Sequence, residues 1–395
     1  MLRILHVAYI YPPNLSVADG ITTVVYNVTK ELARRGHEVA VFTSDMLDLH
    51  GNKSLRSGHT VMNGVDVYHS KSVWRSKTFI VTPDMFSLLS KKLSNYDVIH
   101  VHDCRSFQGI STLLFSKMKS IPYVFQPHGS YLSPSPVSLP KKLAKMALDK
   151  VVSDRVVRGA SKVIALSQME AEAYQRLGIP DGKIVVVPNG IDLSEYSNLP
   201  AKGSFRKKFR IREKTKMALY LGRIHETKGI DVMIKAYAHM IGLMKCQNTM
   251  LVMAGPDDGY LAEAKSLADS LGVSDSLLFT GYIDGRDKLG ALVDANVFIT
   301  PSFSGFPMTF LEACAVGTPI VTTTLGDTLE WINDNVGYVT SPTSVEIASA
   351  VNMLISNVEL ANAFSRNCMA ITRSKFSLKT VVDKLEKVYA EVANA

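Results

Sequence analysis

No CxxC pair occurs in this chain, and its four cysteines, Cys104, Cys246, Cys314 and Cys368, stand far apart in sequence. That spacing excludes a zinc ribbon or a dense disulfide framework and fits a reducing compartment. No uninterrupted apolar run approaches the roughly 18 residues that a membrane-spanning helix needs. The opening segment, LRILHVAYIYPP, lacks the long apolar region and small-residue cleavage site of a signal peptide, so it reads as a buried strand. GxGxxG is also missing after that strand, which argues against a dinucleotide site and hence against a dehydrogenase. The chain has no DxD pair of acids, no low-complexity tract and no short-period repeat. No nucleic-acid fold signature accompanies its basic residues.

What is present suits two globular domains. The 395 residues are 46% hydrophobic and 20% charged, enough for real cores and too apolar for disorder. The net charge is +8 and is concentrated in two places. Between Pro140 and Arg158, six basic residues interleave with apolar ones, the pattern of a helix lying on an anionic lipid surface. Between Lys202 and Lys216, eight basic residues face one acid, Glu213, which reads as a solvated helix face.

Residues 296–323, NVFITPSFSGFPMTFLEACAVGTPIVTT, organise the rest. Asn296 to Thr300 is short and apolar, as in a buried parallel strand. Pro301 and Gly305 break it, and Pro307 marks a helix start that tolerates a missing N–H. Phe310, Leu311, Cys314 and Ala315 are at helical spacing, and Gly317 and Pro319 end the helix before the next strand begins at Ile320. A helix N-terminus at the carboxyl end of a parallel strand binds anions and nucleotides. Glu312 stands out in this apolar helix. It reads either as a solvated outer-face residue or as a carboxylate that needs donors such as ribose hydroxyls.

Pro301, Ser302, Gly305, Phe306, Leu311, Glu312, Ala313, Ala315, Gly317 and Pro319 together resemble the nucleotide-sugar signature of the retaining glycosyltransferases of family 4 (GT4). That resemblance implies an α/β chain of the GT-B fold, with two Rossmann-like domains facing across a cleft. The family carries a Glu eight residues before the second one, and here that position is Ser304. The resemblance implies donor-sugar contact at position 304, where this chain offers a hydroxyl instead of a carboxylate, and ribose contact through Glu312. It also implies backbone contacts to the donor near Met308, Thr309 and Phe310.

The remaining motifs follow in chain order. A β-α-β unit opens the chain, with a helix over about Thr22 to Arg35. The loop before that helix holds Asp19-Gly20, where the family often has paired glycines near a phosphate; read alone, Gly20 is an ordinary loop glycine. Further strands fall at about 65–69, 98–102, 123–126, 163–165 and 184–187. His102 ends the strand DVIHVH and, read alone, is a hydrogen-bonded structural histidine. His128, in QPHG, resembles a family histidine beside the donor sugar. Val187-Pro-Asn-Gly-Ile-Asp192 resembles the family's PNGVD element, and the hinge is expected at about 193–214. The second half repeats the architecture. Gly222-Arg-Ile-His-Glu-Thr-Lys-Gly229 resembles GRxxxxKG, which implies Arg223 and Lys228 on the donor diphosphate, a chemistry suited to paired cations. The backbone after Gly281, at Tyr282 and Ile283, is implied to contact the base.

Taken together, residues 1–195 are expected to form an acceptor-binding domain to which a last helix, about 376–395, packs back. Residues 196–375 are expected to form the donor domain. The implied reaction moves a hexose from a UDP- or GDP-sugar to a saccharide or lipid-linked saccharide, with retention, in surface polysaccharide or glycoconjugate synthesis. Arg223, Lys228 and the helix N–H groups would stabilise the leaving diphosphate, so no divalent metal and no other cofactor is expected. No pair of acids is placed as in retaining glycosidases. The resemblance instead implies front-face substitution, with His128 orienting the sugar and domain closure excluding water. The acceptor is expected near Tyr11, Asp19 and His102. The expected location is cytoplasmic, with peripheral contact at the inner membrane face through 140–158, and without nucleic acid. Two rival functions are a nucleotide-sugar epimerase and a non-catalytic nucleotide-sugar-binding partner, the latter motivated by Ser304.

Overall fold

The computed structural model describes residues 1–11, 20–47, 54–75, 79–102, 106–129, 153–244, 246, 248–303, 305–326, 330–332 and 335–395. Asp19, Ser304 and most of the basic 140–158 stretch lie outside them. The chain divides into two compact units: Met1–Gly190 together with Leu378–Ala395, and Ile191–Ser377.

The first unit is built on an eight-stranded sheet. Its strands are β1 (Arg3–Val7), β2 (Glu38–Ser44), β3 (Gly58–Met62), β4 (Val65–Ser70), β7 (Val98–His102), β8 (Tyr123–Gln126), β9 (Lys162–Ala165) and β10 (Ile184–Val186). A separate two-residue pair joins β5 (Trp74–Arg75) to β6 (Ile80–Val81). The sheet order is β10-β9-β8-β7-β1-β2-β4-β3, parallel except for the β3–β4 edge. The central strands are apolar on both faces because helices cover both, as parallel sheets require. Leu5, Val7, Ile99, Val101 and Phe125 are fully buried in one core cluster. The register sets His6 beside His100 and His102 beside Gln126. β1 lies between β2 and β7, so the strand order reverses at β1 and the carboxyl ends diverge there.

The helix Gly20–Arg34 buries Val24, Val25, Val28 and Leu32 at helical spacing. The last helix, Leu378–Ala393, belongs to this unit and buries Val381, Val382, Leu385, Val388 and Tyr389. Arg35 ties the two helices together: it donates to Glu31 at 2.8 Å, Asp383 at 2.6 Å and Glu386 at 2.7 Å.

The second unit carries a six-stranded, all-parallel sheet of β11 (Lys216–Leu221), β12 (Thr249–Ala254), β13 (Leu277–Gly281), β14 (Val297–Thr300), β15 (Ile320–Thr323) and β16 (Gly337–Thr340). The order is β13-β12-β11-β14-β15-β16, so the reversal falls between β11 and β14. The helix Met308–Ala315 follows β14, with Pro307 as its extended N-cap (φ −67°, ψ 121°). Gly317 ends it at φ +81°, and the Thr318 N–H reaches back to the Ala313 carbonyl at 2.8 Å, a Schellman-type stop.

Candidate functional sites in the two units

The crevice outside the carboxyl ends of β11 and β14 is where an open parallel sheet binds its ligand. The loop after β11 begins at Gly222 and carries Arg223, while Lys228 lies in a short 3-10 turn, Glu226–Lys228. Gly229 closes that turn at φ +68°, and a Cβ there would sit 2.9 Å from Cβ of Pro301. Glycine is thus required twice over, for its conformation and for the close approach of the cationic loop to the segment after β14. Arg223 is not a bare cation: its guanidinium is ion-paired with Asp258, in the turn after β12.

Met308, Thr309 and Phe310 form the first turn of the helix after β14. Phe310 is fully buried, and its N–H bonds to the Pro307 carbonyl at 3.2 Å. The N–H groups of Met308 and Thr309 are among the first-turn donors that a helix cannot satisfy internally. Glu312 is not the solvated outer-face residue of the first alternative. Its side chain is only 13% exposed, and Lys288 from the helix Gly285–Asp294 donates to it at 2.9 Å. Burial opposes the charge on Lys288, but the attraction and hydrogen bond of Glu312 outweigh it and raise the ammonium's pKa. The Glu312 charge and burial together push the Tyr196 phenol up, burial being the larger cause. Sequence reasoning missed Lys288; a lysine at the start of a helix gave no signal until its partner was known. Tyr282 is exposed and Ile283 half-buried just beyond β13.

The first unit holds the other predicted residues. Gly20 opens the helix Gly20–Arg34 and is exposed. Tyr11, expected to face an acceptor, is instead 1% exposed, with its hydroxyl 2.9 Å from Thr29 Oγ1. His102 is likewise buried rather than presented to an acceptor, lying 3.0 Å from Nε2 of His128. His128 itself adopts φ +53°, a left-handed conformation that costs a residue with a Cβ on the order of 1 kcal/mol. Its ring stacks on that of His102, with the centroids 5.2 Å apart. Burial depresses its pKa to about 3, with Asn189 weakly opposing it, so the ring is neutral near pH 7. Among the described residues, His6, His100 and His102 each bring a ring nitrogen within 4.8 Å of the others. Both nitrogens of His102 are already hydrogen-bonded to histidines, so the group is a hydrogen-bonded row and not an open coordination site.

Two family models match the chain in tandem: Glycosyltransferase Family 4 over residues 18–195 and Glycosyl transferases group 1 over residues 201–369. An uncharacterized glycosyltransferase of Methanocaldococcus jannaschii is 28% identical, covering 98% of both chains. A D-inositol 3-phosphate glycosyltransferase of Corynebacterium jeikeium is 24% identical, over 99% of this chain and 96% of that one. The crystal structure of Anabaena HepE in complex with UDP and glucose superposes with a TM-score of 0.75 at 17% identity, covering 99% of this chain and 100% of that one.

Proposed function

Since this chain belongs to the family 4 glycosyltransferases and has their GT-B fold, we propose that it transfers a hexose, with retention, from a nucleotide diphosphate sugar to a saccharide or lipid-linked saccharide. The observation that supports this is the loop Gly222–Gly229. It carries Arg223 and Lys228 at the switch point of the second sheet and presses on Pro301, just before a helix N-terminus. Breaking the anomeric C–O bond leaves negative charge on the diphosphate, and fixed cations and N–H dipoles stabilise that charge most in the transition state. Two cations serve where other enzymes use a divalent ion, so the proposed activity is metal-independent. The leaving phosphate takes the acceptor's proton, and neutral His128 orients the sugar without acting as a base. UDP in the HepE complex supports a uridine donor class.

The test is a binding titration of UDP, GDP, ADP and their common sugar conjugates in the presence of a chelator. One conjugate should bind, and Lys228→Ala should weaken it by about 10- to 100-fold, the worth of one charge-assisted hydrogen bond. Failure to bind any of them would sink the reading in favour of a non-catalytic partner, which Ser304 already motivates. Incubating the bound donor with acceptors and reading the anomeric configuration of the product by proton NMR tests retention.

The basic interleaved pattern of 140–158 supports a peripheral contact with anionic lipid at the inner membrane face, where a lipid-linked acceptor is presented. No described helix is long and apolar enough to cross a membrane. Vesicles containing anionic lipid should bind the protein at low salt, and removal of Lys141, Lys142 and Lys145 should weaken that binding; unchanged binding would end the idea.

A further inference from the structure

Lys288 and Glu312 stand on two helices that meet at the strand reversal of the second sheet. The helix Gly285–Asp294 leaves β13 at the sheet's edge and carries the chain across to β14. The helix Met308–Ala315 leaves β14 at the reversal itself. Lys288 lies in the first turn of the crossing helix, and its ammonium donates to Oε1 of Glu312 at 2.9 Å. Among the described residues Lys288 makes no other hydrogen bond. Oε2 of Glu312 accepts from no described donor, yet it is not sealed from solvent, although the side chain is only 13% exposed.

Holding two helices together does not call for this pair. Removing an ammonium and a carboxylate from water costs much of what their attraction returns, and apolar side chains of similar volume join helices at least as well. What the pair adds is directional chemistry. An ammonium has three N–H donors and no acceptor, whereas a carboxylate only accepts. One N–H and one oxygen are engaged with each other. The other N–H groups and Oε2 then form a donor edge beside an acceptor edge. Burial opposes the ammonium, but Glu312 holds it charged, and Glu195 and Tyr282 add to that attraction.

A donor edge beside an acceptor edge matches two neighbouring hydroxyls. One hydroxyl gives its proton to Oε2, and the oxygen of the other accepts from the ammonium. Each half of the pair then has a partner of its own kind, and neither charge is left unmatched when water leaves. A site built in this way rejects an analogue that lacks one hydroxyl, because a poorly solvated polar group is then left without a partner.

We propose that Lys288 is a specificity-determining residue that, with Glu312, recognises the vicinal 2′,3′-diol of a nucleoside diphosphate, Lys288 donating to one hydroxyl oxygen and Glu312 accepting from the other hydroxyl. The resemblance implies ribose contact through Glu312; the addition is a cation that makes the contact two-sided and selects ribonucleotides over deoxyribonucleotides. The inference rests on the transferase reading, which supplies the nucleotide.

The test is calorimetric titration of the full-length protein with UDP, GDP and ADP, each beside its 2′-deoxy and 3′-deoxy counterparts. The ribonucleotide that binds should do so about 10- to 100-fold more tightly than either deoxy form, the worth of one hydrogen bond to a charged group. Lys288→Met should abolish the preference over one deoxy form, the one missing the hydroxyl that Lys288 meets. Affinity for that form should stay as in the parent, which also shows that the variant is folded. A parent that binds ribo and deoxy forms within about threefold of each other overturns the proposal without any variant. A Lys288→Met protein that weakens all three forms in parallel, with both preferences kept, overturns it too, since that is the behaviour of a merely structural pair. Binding without discrimination refutes this inference alone, whereas no binding of any nucleoside diphosphate refutes the transferase reading with it.

Discussion

Asp258 covers the guanidinium of Arg223, so under the proposed function a diphosphate at that loop competes with it. Both side chains are substantially exposed, 49% and 33%, so the pair itself contributes little, about 0–1 kcal/mol. Asp258→Asn should therefore tighten nucleotide diphosphate binding by up to about fivefold, measured by calorimetry; weaker binding would mean that Asp258 itself holds part of the ligand. Lys288 and Glu312 are a different case. Their side chains are 35% and 13% exposed, and removal of either leaves the other charge poorly solvated. A double-mutant cycle with Lys288→Met and Glu312→Gln, followed by urea unfolding, should give a coupling energy of about 1–2 kcal/mol. This pair also shows what residue types alone convey. The Glu was conspicuous in sequence because its neighbours are apolar. Its partner lies 24 positions away on another helix, and only the fold brings the two together. The histidines follow the same rule: the alternation in DVIHVH puts His100 and His102 on one face, but His6 joins them only through the pairing of β1 with β7.

At the scale of elements, the parallel strands were legible because burial on both faces makes them continuous apolar runs. β3 was not, because nearly all of its residues are exposed and no buried face imposes a pattern. The strand–turn–helix around Pro301 was legible through its punctuation, although the helix starts at Met308 and Pro307 serves as the N-cap. The last helix was expected from its amphipathic pattern, and its weight in the first unit can be estimated. Seven of its apolar side chains, Leu378, Val381, Val382, Leu385, Val388, Tyr389 and Val392, are buried. At about 1.5–3 kcal/mol each, they contribute on the order of 10 kcal/mol, comparable with the whole stability of a domain. A chain ending at Ser377 should therefore lose the protease resistance of residues 1–190, while the second unit keeps its own fold. Limited proteolysis with mass spectrometry reads this directly, and a protected first unit would contradict it.

For the molecule as a whole, the buried histidines couple stability to acidity. The pKa values of His6 and His128 fall from the ordinary 6.5 to about 3, in both cases mainly through burial. Unfolded rings take up protons below pH about 6.5, but the folded rings do not until about pH 3. Their contribution is therefore intact above 6.5 and is lost progressively as pH falls from there toward 3. Urea midpoints should drop between about pH 7 and pH 5, and His6→Gln should flatten that drop; a variant with the same slope as the parent would exclude His6 as a source.

The first unit is closed by the final eighteen residues of the chain, and the second is one uninterrupted segment. During synthesis on the ribosome, the second unit has its complete sequence outside the exit tunnel before the first does. Residues 1–190 lack the helix that brings Tyr389 to His100 until Leu378–Ala393 has been made. Until then the apolar surface that Val381, Leu385, Val388 and Tyr389 bury is uncovered, which makes the incomplete first unit prone to association.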